Sequence, residues 1–329
     1  MTSDILDAAT TQGFLFLEGH DFTQHEVDQV FSLSKDFFNL PSDYKSKYAV
    51  NSSNHGYASF GKEKLDPSGQ EKGDPKEALN FANLNFDTGK SGFDIPDWFT
   101  QDKARDELIS QTIIKLYQLS IRILRYLAQA LEIEDTDNTK GEDWFATRYA
   151  PELPSGSAFR FLHYPGQKSL NPESVIRAGA HTDYGSVTLL FQKENQEGLE
   201  IYSPVSKQWE QVPFVPSTKK DMAPPIVVNI GDLLSYWTAG LLKSTIHRVK
   251  FPKKVQETGQ DRYSIVFFSH PSDDAMLETV PSEIIRKIEG RGANKDSTAI
   301  TAKSTCRRGW LPRMAGSRTQ LHILQRYSL

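Results

Sequence analysis

At 329 residues, 38% of them hydrophobic and 24% charged, the chain can bury a sizeable core and keep a charged surface. Its net charge of −4 leaves no broad basic footprint for nucleic acid or anionic membrane, and no apolar run approaches bilayer-spanning length. A single cysteine, Cys306, excludes an intramolecular disulfide framework and any cysteine-cluster metal site.

The opening MTSDILDAATTQ has neither the basic n-region nor the apolar h-region of a secretory signal, so the expected setting is cytoplasmic and reducing. Phe14 to Leu17 is a short apolar run before Gly19 and reads as a buried strand. Thr23 and Glu26 have capping-box spacing, and Val27, Val30, Phe31, Phe37 and Phe38 recur at helical period up to Leu40-Pro41. Residues 50 to 100, rich in Gly, Ser, Asn, Asp and Pro, predict loops and short strands over one end of the fold. Leu108, Ile109, Ile113, Tyr117, Ile121, Leu124 and Leu131 mark a long amphipathic helix.

From about residue 145 the pattern becomes short β-type runs between turn residues: Phe159 to Tyr164, Ser186 to Phe191, Leu199 to Tyr202, Ile226 to Ile230, Ser244 to Val249 and Tyr263 to Ser269. Such spacing suits a sandwich or jelly roll. The expected organisation is an N-terminal helical and loop region over 1–145, a catalytic β-core over 146–275, and a C-terminal helix and tail over 276–329. These pack as one mainly β, α+β unit. The stretch from Thr301 to Leu329 carries six Arg or Lys and no acidic residue, and reads as a solvated basic end.

Chemistry concentrates in three runs. In RAGAHTDYGSVTLLF, His181 and Asp183 are two apart, so on an extended strand both would project from one face and could grip one metal ion. The run STIHRV places His247 on another strand, and two imidazoles with one carboxylate form the facial triad of non-haem iron oxygenases. A zinc hydrolase can use similar ligands, so the triad alone leaves that class open. In DRYSIVFF, Arg262 and Ser264 share a strand face, where a guanidinium beside a hydroxyl suits a carboxylate.

These runs, with GFLFLEGH, Gly56-Tyr57, Asp74-Pro75-Lys76-Glu77, FRFLHYP and VVNIGDLLSYWTAG, resemble the isopenicillin N synthase-like 2-oxoglutarate/Fe(II)-dependent dioxygenases over roughly Gly13 to Pro271. The resemblance implies a distorted double-stranded β-helix, or jelly roll, with packed N-terminal helices. It implies His181, Asp183 and His247 as iron ligands, and Arg262 and Ser264 on the C5 carboxylate of 2-oxoglutarate. Tyr164 matches a position that also contacts the keto acid. The implied reaction couples decarboxylation of 2-oxoglutarate, with O2, to hydroxylation of an unactivated C–H bond, releasing succinate and CO2. Ascorbate is a candidate stimulant. The same site used for desaturation or ring closure, or a non-catalytic 2-oxoglutarate/metal sensor, are the alternatives.

Substrate identity and oligomeric state are not written in the motifs. Arg160, on the strand face of Tyr164, would favour an anionic or carbonyl-bearing small molecule if it points inward. Phe268, on the face of Arg262, could stack on a planar one. A pyrimidine such as thymine is compatible with both. Two departures stand out: family members usually begin with a strand of the type I-P-x-I-D, and the expected C-terminal helix gives way to CRRGWLPRMAGSRTQ.

Overall fold

The computed structural model describes residues 2–66, 72–166, 176–251, 258–278, 280–289 and 301–303. Helices occupy Thr2–Thr11 (α1), Gln24–Phe38 (α2), Ser42–Ser46 (α3), Asp97–Thr100 (α4), Lys103–Ala130 (α5), Asp232–Trp237 (α6) and Glu283–Glu289 (α7). The expected capping box starts α2. The Thr23 hydroxyl accepts from the Glu26 amide, and the Glu26 carboxylate accepts from the Thr23 amide at 2.8 Å. At the start of α5, Asp102 accepts from the amides of Ala104 and Arg105, and its buried stripe includes Ile109, Ile113, Leu116, Ile123 and Leu127. Helix α1 had no counterpart in the sequence reading, because its ten residues are mostly polar or small. Ile5 and Ala9 are nonetheless buried in the core that α5 shares.

The strands are Phe14–Leu17 (β1), Gly56–Ala58 (β2), Glu77–Phe81 (β3), Leu84–Asn85 (β4), Lys90–Ser91 (β5), Ala158–Tyr164 (β6), Ile176–His181 (β7), Val187–Phe191 (β8), Leu199–Tyr202 (β9), Trp209–Gln211 (β10), Ile226–Ile230 (β11), His247–Lys250 (β12) and Arg262–Ser269 (β13). Seven of them form one sheet in the order β1-β11-β8-β13-β6-β3-β2, and four form a second, β10-β9-β12-β7. The two sheets make the distorted double-stranded β-helix. Strands β2 and β3, from the segment expected to be loops and short strands, extend the larger sheet beside β6. The expected strand from Ser244 begins only at His247, because the Ser244 and Thr245 hydroxyls bond Asp232 and the Gln12 carbonyl instead.

Strand alternation divides the core in two. One face of the larger sheet, carrying Phe159, Phe161, Leu189, Val228, Ile265 and Phe267, packs against α2 and α5. The other face, with Leu162, Leu190, Val227 and Val266, looks across to Ala178, Leu199, Ile201 and Val249 of the smaller sheet. The site lies between the sheets, on this second face. Of the basic end, Thr301 bridges to Met276 and Lys303 pairs with Asp273 at 2.7 Å; residues 304–329 lie outside the described residues.

Candidate active site

The last residue of β7, His181, and the first of β12, His247, are direct partners across the smaller sheet. Asp183 is not on the strand with His181, as simple alternation would have it, but in the turn that follows. That turn is pinned by the Asp232 amide, which donates to the Asp183 carbonyl at 2.7 Å, and by the Gly231 amide, which donates to the Ser186 carbonyl at 2.9 Å. The backbones approach so closely here that a Cβ on Gly231 would lie 2.2 Å from the Gly185 carbonyl oxygen. The Nε2 atoms of His181 and His247 are 3.8 and 3.6 Å from Asp183 Oδ1, and the three ligand atoms lie within 4.8 Å of one another.

Each donor is oriented by a further contact. His181 Nδ1–H donates to the Gly179 carbonyl (2.8 Å) and His247 Nδ1–H to that of Thr245 (3.1 Å), a tautomer that leaves both Nε2 lone pairs facing Asp183. Asp183 Oδ2 accepts from Thr188 Oγ1 and Asn229 Nδ2, both at 2.7 Å, so Oδ1 stays available. Thr188 and Asn229 are paired across β8 and β11. Burial pushes the Asp183 carboxyl up, but His247, His181, Asn229 and Thr188 together hold it below the ordinary range. Burial and the neighbouring His247 push His181 down, against the pull of Asp183, so the imidazole is neutral at pH 7. Two imidazoles and a carboxylate converging on one point are a donor set that fits Fe(II).

Thr188 and Asn229 escaped the sequence reading, although each is a polar residue inside an otherwise apolar buried run. Asp232 was also missed. It accepts from Thr182 at 2.9 Å and from Ser244 at 2.5 Å, tying the His181 turn to the approach of His247.

Arg262 and Ser264 face the same space from β13 on the larger sheet, 2% and 1% exposed. Arg262 Nη1 donates to Ser264 Oγ (2.6 Å) and Nε to the Gln196 carbonyl (2.8 Å). Tyr164 is opposite Arg262 on β6, with the guanidinium carbon 4.9 Å from its ring. A buried guanidinium keeps its charge and therefore needs an anion.

All eight residues singled out from the sequence line one cavity of about 260 Å³: His181, Asp183, His247, Arg262, Ser264, Tyr164, Arg160 and Phe268. Arg160 does point inward, but it is already ion-paired to Glu63. Lys76 links Glu63 (3.3 Å) to Asp74 (2.8 Å), so two cations face two carboxylates. Burial pushes Glu63 up, yet Arg160 and Lys76 outweigh it and the carboxyl lies below its usual range. Arg160 Nε is buried and has no hydrogen-bond partner among the described residues. His270 also lines the cavity, against Gly156 and Gly185, and burial pushes its imidazole down to about 4.

Residues 143–271 match the profile of the 2OG-Fe(II) oxygenase superfamily, and residues 1–100 match that of the non-haem dioxygenase in morphine synthesis N-terminal. A full-length Neurospora crassa protein solved in complex with alpha-KG superposes with TM-score 0.73 at 30% identity, covering 93% of this chain and 88% of the other. The chain belongs to the isopenicillin N synthase-like 2-oxoglutarate/Fe(II)-dependent oxygenases. As an oxidoreductase of this family, it works with Fe(II), 2-oxoglutarate and O2 on a small molecule. Among sequence relatives, a UPF0676 protein of Schizosaccharomyces pombe is 32% identical over 86% of this oxygenase and 81% of its own length. The 2-oxoglutarate-dependent dioxygenase gloF of Glarea lozoyensis is 27% identical, with 84% of each covered. The Neurospora protein has also been solved with thymine and with 5-formyluracil. Among the described residues, no helix of the oxygenase is long and apolar enough to cross a membrane.

Proposed function

We propose that this oxygenase hydroxylates a C–H bond of a small, planar, uncharged molecule bearing a carbonyl or imide group, with pyrimidines such as thymine as the leading class. One observation carries the reading: the eight residues line a single cavity, with the histidines on one sheet and the Arg262 group on the other. In this reading His181, Asp183 and His247 hold Fe(II), which, when bound, supplies activation of O2 coupled to oxidation of 2-oxoglutarate to succinate and CO2.

The chain's own residues then bind and orient. Arg262 and the Ser264 hydroxyl take the distal carboxylate of 2-oxoglutarate, with the Tyr164 ring against the guanidinium. On the substrate side, Arg160 is balanced by Glu63, and Lys76 by Asp74, so the wall offers donors without net charge. That favours a neutral carbonyl over the anion that the bare Arg160 had allowed. Its Nε–H is the donor left to meet a substrate oxygen, and Phe268 supplies a flat apolar surface. His270, uncharged at neutral pH, adds no charge to the wall. The apolar cavity walls Leu162, Leu190 and Val266 exclude water from the reacting centre. The net charge of −4 and the size of the cavity support a small-molecule substrate over a nucleic-acid polymer or a membrane, and the single cysteine supports a cytoplasmic setting.

An anaerobic titration with Fe(II) and then 2-oxoglutarate, followed by visible absorption, tests the iron and keto-acid assignments. The expected result is a charge-transfer band that needs both components and is lost in His181→Ala and Asp183→Ala. Succinate release is then measured with thymine, uracil and a carboxylated pyrimidine. Turnover with the neutral compounds and not with the acid supports the substrate class; the opposite order refutes it. Absence of succinate with every substrate class tested would move the non-catalytic sensor to the front, and substrate-dependent succinate would end that reading.

A further inference from the structure

Strand β13 is longer than its neighbour β8. Their pairing begins at Ile265 with Phe191, so Arg262, Tyr263 and Ser264 overhang the end of β8 and are held by β6 on one side only. The overhang carries the two residues read above as the carboxylate clamp. On its open side stands the turn after β8. There the side-chain Oε1 of Gln196 accepts from the Tyr263 amide at 2.7 Å, and its own carbonyl accepts from Arg262 Nε at 2.8 Å.

One residue thus does what a further strand residue would do. It satisfies an amide of a buried residue and fixes the guanidinium about its long axis. With Nε on the Gln196 carbonyl and Nη1 on Ser264, two corners of the guanidinium are fixed. The turn itself is built rather than loose. The Gln196 amide donates to the Lys193 carbonyl (3.1 Å), Asn195 takes φ 61°, and the Lys250 amide of β12 donates to the Gly198 carbonyl (2.7 Å).

We infer that Gln196 is a positioning residue for 2-oxoglutarate: it acts through Arg262 and never touches the co-substrate. The inference rests on the Arg262 assignment proposed above. Its test uses two size-graded variants, Gln196→Ala and Gln196→Met, which both lose the side-chain acceptor that ties residue 196 to the Tyr263 amide and so free its main-chain carbonyl to move away from Arg262 Nε. Each is titrated anaerobically with Fe(II), then with 2-oxoglutarate or with 2-oxobutyrate, which has the chelating end but lacks the distal carboxylate.

The expected result is a roughly tenfold rise in the 2-oxoglutarate dissociation constant, the scale of one lost buried hydrogen bond, in both variants. Fe(II) and 2-oxobutyrate constants stay within twofold of the wild type. Unchanged 2-oxoglutarate binding overturns the inference. So do equal losses for the two keto acids, which indicate general damage to the fold. Arg262→Ala separates the two levels. If it too leaves 2-oxoglutarate binding intact, the clamp assignment falls and takes this inference with it. If it alone loses binding, only the role of Gln196 falls.

Discussion

Thr188→Val removes one hydroxyl from the support of the metal-facing carboxylate and leaves the side-chain shape nearly unchanged. Thr188 is 4% exposed and donates at 2.7 Å to Asp183 Oδ2, the oxygen turned away from the histidines. A hydrogen bond to a charged group is worth about 1.5–3 kcal/mol, and each 1.4 kcal/mol is about tenfold in affinity. Asn229 donates to the same oxygen and stays in place, so the lower end applies: about a tenfold rise in the Fe(II) dissociation constant. That agrees with the roughly 10- to 100-fold cost of removing groups that orient metal ligands. The assay is anaerobic Fe(II) competition against a chelator of known affinity, with thermal unfolding as the control. Thr188→Ser retains the hydroxyl and should bind as the wild type does. Fe(II) affinity within twofold of wild type in Thr188→Val, at unchanged melting temperature, would refute the reasoning that Asp183 needs both donors.

Glu77 offers a test of stability against pH. Its carboxylate accepts from Lys45 at 3.0 Å and from the Tyr57 hydroxyl, and meets His163 Nδ1 at 2.7 Å. Burial pushes Glu77 up, but His163, Tyr57 and Lys45 hold it below the usual range. Its stabilisation is therefore complete above the unfolded value of about 4.3 and is lost as pH falls through the lower folded value. Glu77→Gln should cost about 3 kcal/mol at pH 7 and make the acid limb shallower in denaturant titrations; an unchanged limb counts against the assignment. Gly231→Ala, whose Cβ would meet the Gly185 carbonyl oxygen at 2.2 Å, should displace the Asp183 turn and abolish Fe(II) binding, and tight binding in a folded variant would exclude that. Phe161→Ala, at a side chain with no exposure, should destabilise the fold by about 3–5 kcal/mol by urea unfolding without altering the ratio of Fe(II) to 2-oxoglutarate affinity.

Most strands from Ala158 onward were legible because short β-type runs between turn residues are a local property, whereas the short β10 was not read. Arg262 and Ser264, two apart on one strand, were legible too, as were His181 and His247, each within its own strand-like run. What could not be read was pairing across long separations. Nothing near His181 specifies that it faces His247, nor that Arg160 meets Glu63. Asp183 was placed on a strand because spacing alone cannot show where a strand stops; the Asp232 and Gly231 amides decide that from fifty residues away. Helix α1 hid in polar residues whose few apolar side chains matter only once α5 is beside them. Gln196 was invisible for a related reason, since its contact exists only because β8 ends short of β13.

The division of labour between the sheets has a consequence for the length of acid the enzyme can accept. The histidines stand on the four-stranded sheet and Arg262 on the seven-stranded one, so the core between them, Leu162, Leu199, Val249 and Val266 included, fixes the span from metal to clamp. If Arg262 takes the distal carboxylate, as proposed, the barrel is in effect a caliper set for a five-carbon diacid. Oxaloacetate, one carbon shorter, and 2-oxoadipate, one longer, should then bind less well, and enlarging or trimming those four apolar side chains should reset the gap.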